Sequence, residues 1–205
     1  MTNEILYVLL NDFADFEPAF LAPAIRCDER AVKPDPKYIN KVLSTEPGFV
    51  RSCGGFRVAV DYTPATMPES FAALILIGGF GWDSPEAARI VPVVRKAHEK
   101  GIVVGAICNA ASFLARHGFL NDVKHTGNGP DQLKWWGNGN YTNESGYVHA
   151  EAVRDQRLIT ANGTGYLEFT RELLLELQND APEQIEMFYQ FNKQGFCAFS
   201  REQEP

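Results

Sequence analysis

The 205-residue sequence has no apolar run near the roughly 18 residues that a membrane-spanning helix needs. It has little cysteine. Cys27, Cys53, Cys108 and Cys197 stand far apart, and no CxxC pair occurs. That spacing suits neither a zinc ribbon nor a disulfide scaffold, so a metal centre is not expected and the thiols should stay reduced. Basic residues are in deficit: 19 Lys+Arg face 26 Asp+Glu, for a formal net charge of -7. A general nucleic-acid binder needs a basic face, so no nucleic-acid partner is expected, although a small local basic patch remains open. No phosphate loop of the form GxxxxGK[ST], no internal repeat and no low-complexity linker is present. The N-terminal Met1-Thr2-Asn3-Glu4 carries no basic stretch, and the apolar run behind it stops at Leu10, which argues against a secretory signal. These absences describe a cytoplasmic protein with no membrane partner.

What is present is ordinary for a globular chain: 45% hydrophobic and 22% charged residues, enough for one domain. Apolar runs of strand length followed by turn signals mark residues 5–10, 74–77, 102–107 and 158–161 as buried parallel strands. Helical stretches are expected at 17–25, 85–100 (its regular part kinked or delayed by Pro92), 109–117, 166–178 and 182–193. Residues 49–52 and 56–61 flank Cys53-Gly54-Gly55 and read as a hairpin. Strands alternating with helices imply a parallel sheet covered on both faces. Residues 1–178 form the main unit, and the Phe-rich residues 179–205 form a C-terminal helical arm of the same domain.

The chemistry is expected at Cys108. In Ala106-Ile107-Cys108-Asn109-Ala110 a buried strand runs straight into a helix, as small-x-Cys-x-small. This is the thiol counterpart of a nucleophile elbow, in which small residues let strand and helix pack closely around a strained turn. A helix N-terminus favours thiolate over thiol, and the Asn109 N–H faces any oxyanion formed there. The plainer alternative is a buried Cys that closes a core strand. Leu74-Ile-Leu-Ile-Gly78-Gly79 ends a strand in glycines, which let backbone N–H groups approach a substrate oxygen, or form a turn and nothing more. Glu17 begins a helix after the first strand, at the sheet edge where α/β proteins build sites; its alternative is a favourable acid in a first turn.

Taken together, Ala14-Asp-Phe-Glu17, Leu74-Ile-Leu-Ile-Gly78-Gly79, Val103-Val-Gly-Ala-Ile-Cys108 and Leu158-Ile-Thr-Ala-Asn162-Gly163-Thr164-Gly165 resemble the PfpI-like family. It belongs to the class I glutamine amidotransferase-like superfamily and takes in intracellular proteases and a protein deglycase group. The resemblance covers about residues 4–178, in order and at family-like spacing. It implies a flavodoxin-like αβα sandwich with a mostly parallel central sheet and a cysteine nucleophile elbow. It also implies a homodimer, and no metal or organic cofactor for the Cys site. Cys108 resembles the family's nucleophile and Glu17 the acid that hydrogen-bonds and tunes it. Gly78, Gly79, Asn109 and Thr126 are the candidate oxyanion or substrate contacts.

One departure concerns the base. Many family members place a His after the elbow helix. Here, in Asp122-Val-Lys-His125-Thr126-Gly-Asn128, Thr126 stands at the expected spacing and His125 one residue earlier. In a strand that offset turns the side chain to the other face, and a bulge or loop restores it. His125 is therefore the candidate partner of Cys108. His98 and His117 read as helix-end residues, and His149-Ala-Glu151 as part of a half-exposed strand over 147–153 rather than a glutaminase pair. The Trp135-Trp136 segment reads as a loop that walls a pocket or packs on the sheet edge; Cys53 as exposed at the hairpin tip, a possible dimer contact; Cys27 and Cys197 as packing residues. The expected function is a cysteine-dependent hydrolase or lyase acting on a small carbonyl, amide or peptide substrate. The alternative is an oxidative-stress sensor or chaperone in which Cys108 is oxidised.

Overall fold

The first strand, β1 (Glu4–Val8), shows how the core is divided. Ile5, Tyr7 and Leu9 enter one buried cluster, and Leu6, Val8 and Leu10 enter another. Alternation with both faces buried is what a continuous apolar strand in a two-sided sheet requires. A computed structural model describes residues 3–27 and 32–202. After β1 come α1 (Pro18–Arg26), β2 (Ile39–Leu43), a hairpin of β3 (Phe49–Arg51) and β4 (Arg57–Ala59), and β5 (Ala73–Leu76). Then follow α2 (Val91–Glu99), β6 (Val103–Ile107), α3 (Asn109–Arg116) and α4 (Pro130–Gly137). The chain closes with β7 (Ala152–Asp155), β8 (Leu158–Ala161), α5 (Tyr166–Glu176), α6 (Pro182–Gln194) and α7 (Phe196–Glu202).

Six strands form one sheet in the order β2-β1-β5-β6-β8-β7. All pairs are parallel except β7 with β8. Helices α2, α3 and α4 cover one face through Val94, Phe113 and Trp136; α1, α5 and α6 cover the other through Leu21, Phe169 and Ile185. The architecture is the expected flavodoxin-like αβα sandwich. Gly105 is needed for its close packing, since a Cβ there would stand 2.9 Å from the Phe169 ring. Strand order reverses between β1 and β5, and in open α/β sheets such a reversal leaves a crevice at the carboxyl ends of the strands. The segments after β1, β5 and β6 converge there.

Differences from the sequence reading are local. The 85–100 stretch opens as a 3-10 helix, Pro85–Ile90, and becomes α-helical only at α2, as Pro92 requires. Trp135 and Trp136 lie on α4, not in a loop: Trp136 is buried in the core beneath the Arg116 guanidinium, and Trp135 is exposed. Only the end of the expected 147–153 strand forms, as the start of β7. In the C-terminal arm α6 lies on α5 and α7 on α6; residues 203–205 lie outside the described ones.

Candidate functional site

Cys108 joins β6 to α3 with φ 59° and ψ −129°, a positive φ that side-chain-bearing residues rarely adopt. Its backbone is held on both sides. Its N–H donates to the Ala161 carbonyl at 3.0 Å, and its carbonyl accepts from Ala111 N–H at 3.0 Å. Ala106 and Ala110, the small residues on either side, are fully buried. The elbow expected from the sequence is therefore present, and its strain is fixed by the sheet and by the first turn of α3.

Glu17 stands just before α1, makes no capping bond to it, and is fully buried. Its Oε2 accepts from Gly78 N–H at 2.6 Å, while Oε1 has no hydrogen-bond partner. Gly78 is what lets the carboxyl and the thiol meet. A Cβ on Gly78 would lie 2.5 Å from Cys108 Cβ and 2.7 Å from Glu17 Oε2. Burial pushes the Glu17 carboxyl up to about 7, against the partial opposition of the Gly78 N–H and the Cys108 thiol. Burial also pushes the Cys108 thiol up, and the Glu17 charge adds to this. The Asn128 amide and the Asn109 N–H pull it back in part. The expected lowering by the helix N-terminus is present but outweighed, because the sulfur is desolvated beside a carboxyl group.

Two expected contacts are corrected. His125 does not serve Cys108. It is fully buried, its Nδ1 pairs with the Val123 carbonyl at 2.9 Å, and its Nε2 pairs with the Tyr141 hydroxyl at 2.7 Å. Burial lowers its pKa, against partial opposition from the Val123 hydrogen bond. Thr126 is equally committed: its hydroxyl donates to the Ala150 carbonyl and its N–H to Thr160 Oγ1. The segment is a loop with a single bridge from His125 to Tyr147, not a strand. A third expectation is narrowed. The Gly78 N–H is taken by Glu17, which leaves Gly79 and Asn109 as the candidate backbone donors for an oxyanion. Gly79 has φ 133°, and a Cβ there would meet the Asp12 carbonyl at 2.3 Å, so only glycine fits.

The side chain that does sit on the sulfur is Asn128, whose Nδ2 is 3.3 Å from Cys108 Sγ. Sequence reading missed it. The signal was Gly127-Asn128-Gly129-Pro130, a glycine-flanked polar residue just before a helix at the sheet's carboxyl edge. Asn109 is held by its side chain too: Nδ2 donates to the Gly79 carbonyl at 2.9 Å, and Oδ1 accepts from Gln132 Nε2 at 2.8 Å. Phe80, on the Gly79 turn, is exposed. Among the described residues no group of three His, Cys, Asp or Glu is placed to hold a metal ion.

Residues 4–176 match the family model described as DJ-1/PfpI. The chain belongs to the DJ-1/PfpI family. A Bacillus subtilis relative, YdeA, is 37% identical over 197 residues, spanning 96% of this chain and 94% of its own length, and is described as an uncharacterized protease. A solved DJ-1 superfamily protein from Agrobacterium tumefaciens has a TM-score of 0.82 at 32% identity, covering 95% of this chain and 99% of its own. A ThiJ/PfpI family structure from Bacillus anthracis has a TM-score of 0.89 at 26% identity, covering 98% of this chain and 95% of its own. Within the DJ-1/PfpI fold, then, this chain pairs a buried acid with an elbow thiol and leaves its nearby histidine elsewhere.

Proposed function

We propose that this protein is a cysteine-dependent enzyme of the hydrolase or glyoxalase type, acting on a small carbonyl compound through Cys108. The observation that carries the reading is a strained elbow thiol and a buried carboxyl group with one unpaired oxygen, both closed against Gly78. Strain and unpaired buried polar atoms cost stability and persist where they serve function. The name of the Bacillus subtilis relative agrees with hydrolase-type chemistry.

Burial raises both groups, so the resting sulfur is a thiol, and the reaction starts when its proton passes to Glu17 and leaves the thiolate. The sulfur electron pair forms an S–C bond to the carbonyl carbon, and the carbonyl π pair moves to oxygen. The Gly79 and Asn109 N–H groups face that oxygen. The Glu17 proton then passes to it, leaving a neutral hemithioacetal and an ionised Glu17. For an α-oxoaldehyde, Glu17 takes the C–H proton of that carbon and a proton returns to the neighbouring carbon, giving a 2-hydroxy thioester; water adds to it, the S–C bond breaks, and the 2-hydroxy acid and the Cys108 thiol are released. An α-oxoaldehyde suits this sequence because its adduct has no amine to expel. A peptide or amide adduct must protonate its leaving nitrogen, and an imidazole does that work elsewhere. Here His125 is occupied by Val123 and Tyr141, so peptide cleavage is the slower reaction. A homodimer in the cytoplasm is part of the same reading, and sedimentation of the purified chain tests the assembly.

The test is turnover of a small α-oxoaldehyde and of a chromogenic amide by the wild type and by Cys108→Ser. The aldehyde should be consumed catalytically by the wild type alone. Stable oxidation of Cys108 to the sulfinate with no turnover of either compound would replace this reading with that of a redox sensor.

A further inference from the structure

A chain of three carboxamides, Gln132 to Asn109 to Asn128, ends at the Cys108 sulfur, and the backbone dictates which way Asn109 and Asn128 point. Asn128 Oδ1 accepts from Gly163 N–H at 2.9 Å. A backbone N–H can only donate, so the Asn128 NH2 must face the other way, toward Cys108 Sγ at 3.3 Å and Asn109 Oδ1 at 3.4 Å. Asn109 is fixed from its other end. Its Nδ2 donates to the Gly79 carbonyl at 2.9 Å, and a carbonyl can only accept, so Oδ1 must face Asn128. Gln132, on α4, donates to that same Oδ1 at 2.8 Å. Each amide could be flipped in isolation, but the fixed polarity of Gly79 and Gly163 leaves one arrangement. Gly163 also leaves the room: a Cβ there would lie 3.2 Å from Cys108 Sγ and 3.5 Å from Asn128 Oδ1.

We propose that Asn128 is a catalytic residue, a polarity-locked N–H donor that holds the Cys108 sulfur as thiolate, with Asn109 and Gln132 positioning it. The inference rests on the reading of Cys108 as nucleophile. It goes further in assigning a group that stabilises negative charge at sulfur without carrying a proton. An amide neither gains nor loses a proton across the working pH range. Among the described residues Glu17 is then the proton carrier that Gly78 brings beside the thiol, and the site is built for addition to a carbonyl rather than for expelling an amine.

The test is the pH dependence of Cys108 alkylation by iodoacetamide, read by peptide mass spectrometry, in the full-length chain. Asn128→Asp keeps the size and the acceptor for Gly163 but turns a negative oxygen toward sulfur. It should lower the alkylation rate at pH 7 by at least tenfold and move the profile to higher pH. Asn128→Ala should do the same to a smaller extent. Gln132→Glu sets an acceptor against Asn109 Oδ1 and should act in the same direction, more weakly. Asn128→His should add an inflection in the imidazole range. A purely structural Asn128 would change melting temperature and leave these profiles superimposed on the wild type. Superimposed profiles in Asn128→Asp overturn the proposal; if that variant does not fold, Asn128→Ala and Gln132→Glu decide it by the same criterion. Alkylation does not depend on turnover. If aldehyde consumption survives Cys108→Ser, the nucleophile reading fails, whereas an unshifted alkylation profile removes only the role of Asn128.

Discussion

Two buried polar pairs stand near the carboxyl edge of the sheet, and they are built in opposite ways. In the His125–Tyr141 pair every polar atom is answered: one ring nitrogen meets the Val123 carbonyl, and the other meets the hydroxyl. In the Glu17–Cys108 pair one carboxyl oxygen is unanswered, the cysteine has positive φ, and both groups are pushed away from their charged forms by burial. A satisfied pair fixes a loop; an unsatisfied, strained pair stores the capacity to react. A histidine near an elbow cysteine is thus not sufficient to make a catalytic base. What its two nitrogens already hold decides its role.

The comparison can be broken at either pair. Replacing Cys108 with Ser should lower carbonyl turnover by roughly 1,000-fold or more, the scale on which loss of a nucleophile is felt, while the melting temperature holds. Gly78→Ala should damage both fold and site, since its Cβ has no room between Cys108 and Glu17. Overpacking of this kind costs about 1–3 kcal/mol, to be read from denaturant unfolding, and Cys108 alkylation should slow with it. His125→Phe should do the reverse. It strands the Tyr141 hydroxyl and costs about 1–3 kcal/mol of stability, yet turnover per folded molecule should match the wild type. The smallest effect is a slope. The folded Glu17 carboxyl is raised from an ordinary 4.5 to about 7, so the folded state binds the proton more tightly than the unfolded chain. Stability is then greatest below about 4.5 for this group and falls as pH rises toward about 7. Thermal melts of Glu17→Gln should lack that part of the slope.

The sheet was legible because its central strands are buried on both faces and read as uninterrupted apolar runs. The outer strand β2, Ile-Asn-Lys-Val-Leu, was not: it lies at an edge, half exposed, and its polar residues hide the pattern. The segment with Trp135 and Trp136 read as a loop because Gly137 and Gly139 follow, although the helix starts at Pro130, a residue suited to a first turn. Cys108, Glu17 and the Gly78-Gly79 turn stand together because each follows a strand that ends at the same edge. Asn128 was out of reach of that logic. It sits in an irregular loop where spacing from Cys108 does not determine direction, and residue type alone favours the histidine three positions earlier. Hydrogen bonds from Gly163 and to Val123, invisible in sequence, set the directions of the two side chains.

In the proposed mechanism one proton passes between Glu17 and Cys108. The direct measurement is the rate of Cys108 alkylation against pH in the wild type and in Glu17→Gln. A coupled pair loses its protons in two steps that belong to both groups. The wild-type profile should therefore show two inflections, the lower near 7 where the Glu17 carboxyl is placed, and Glu17→Gln should show one. A single inflection near the ordinary thiol value of about 8.5, unchanged by the substitution, would contradict the account.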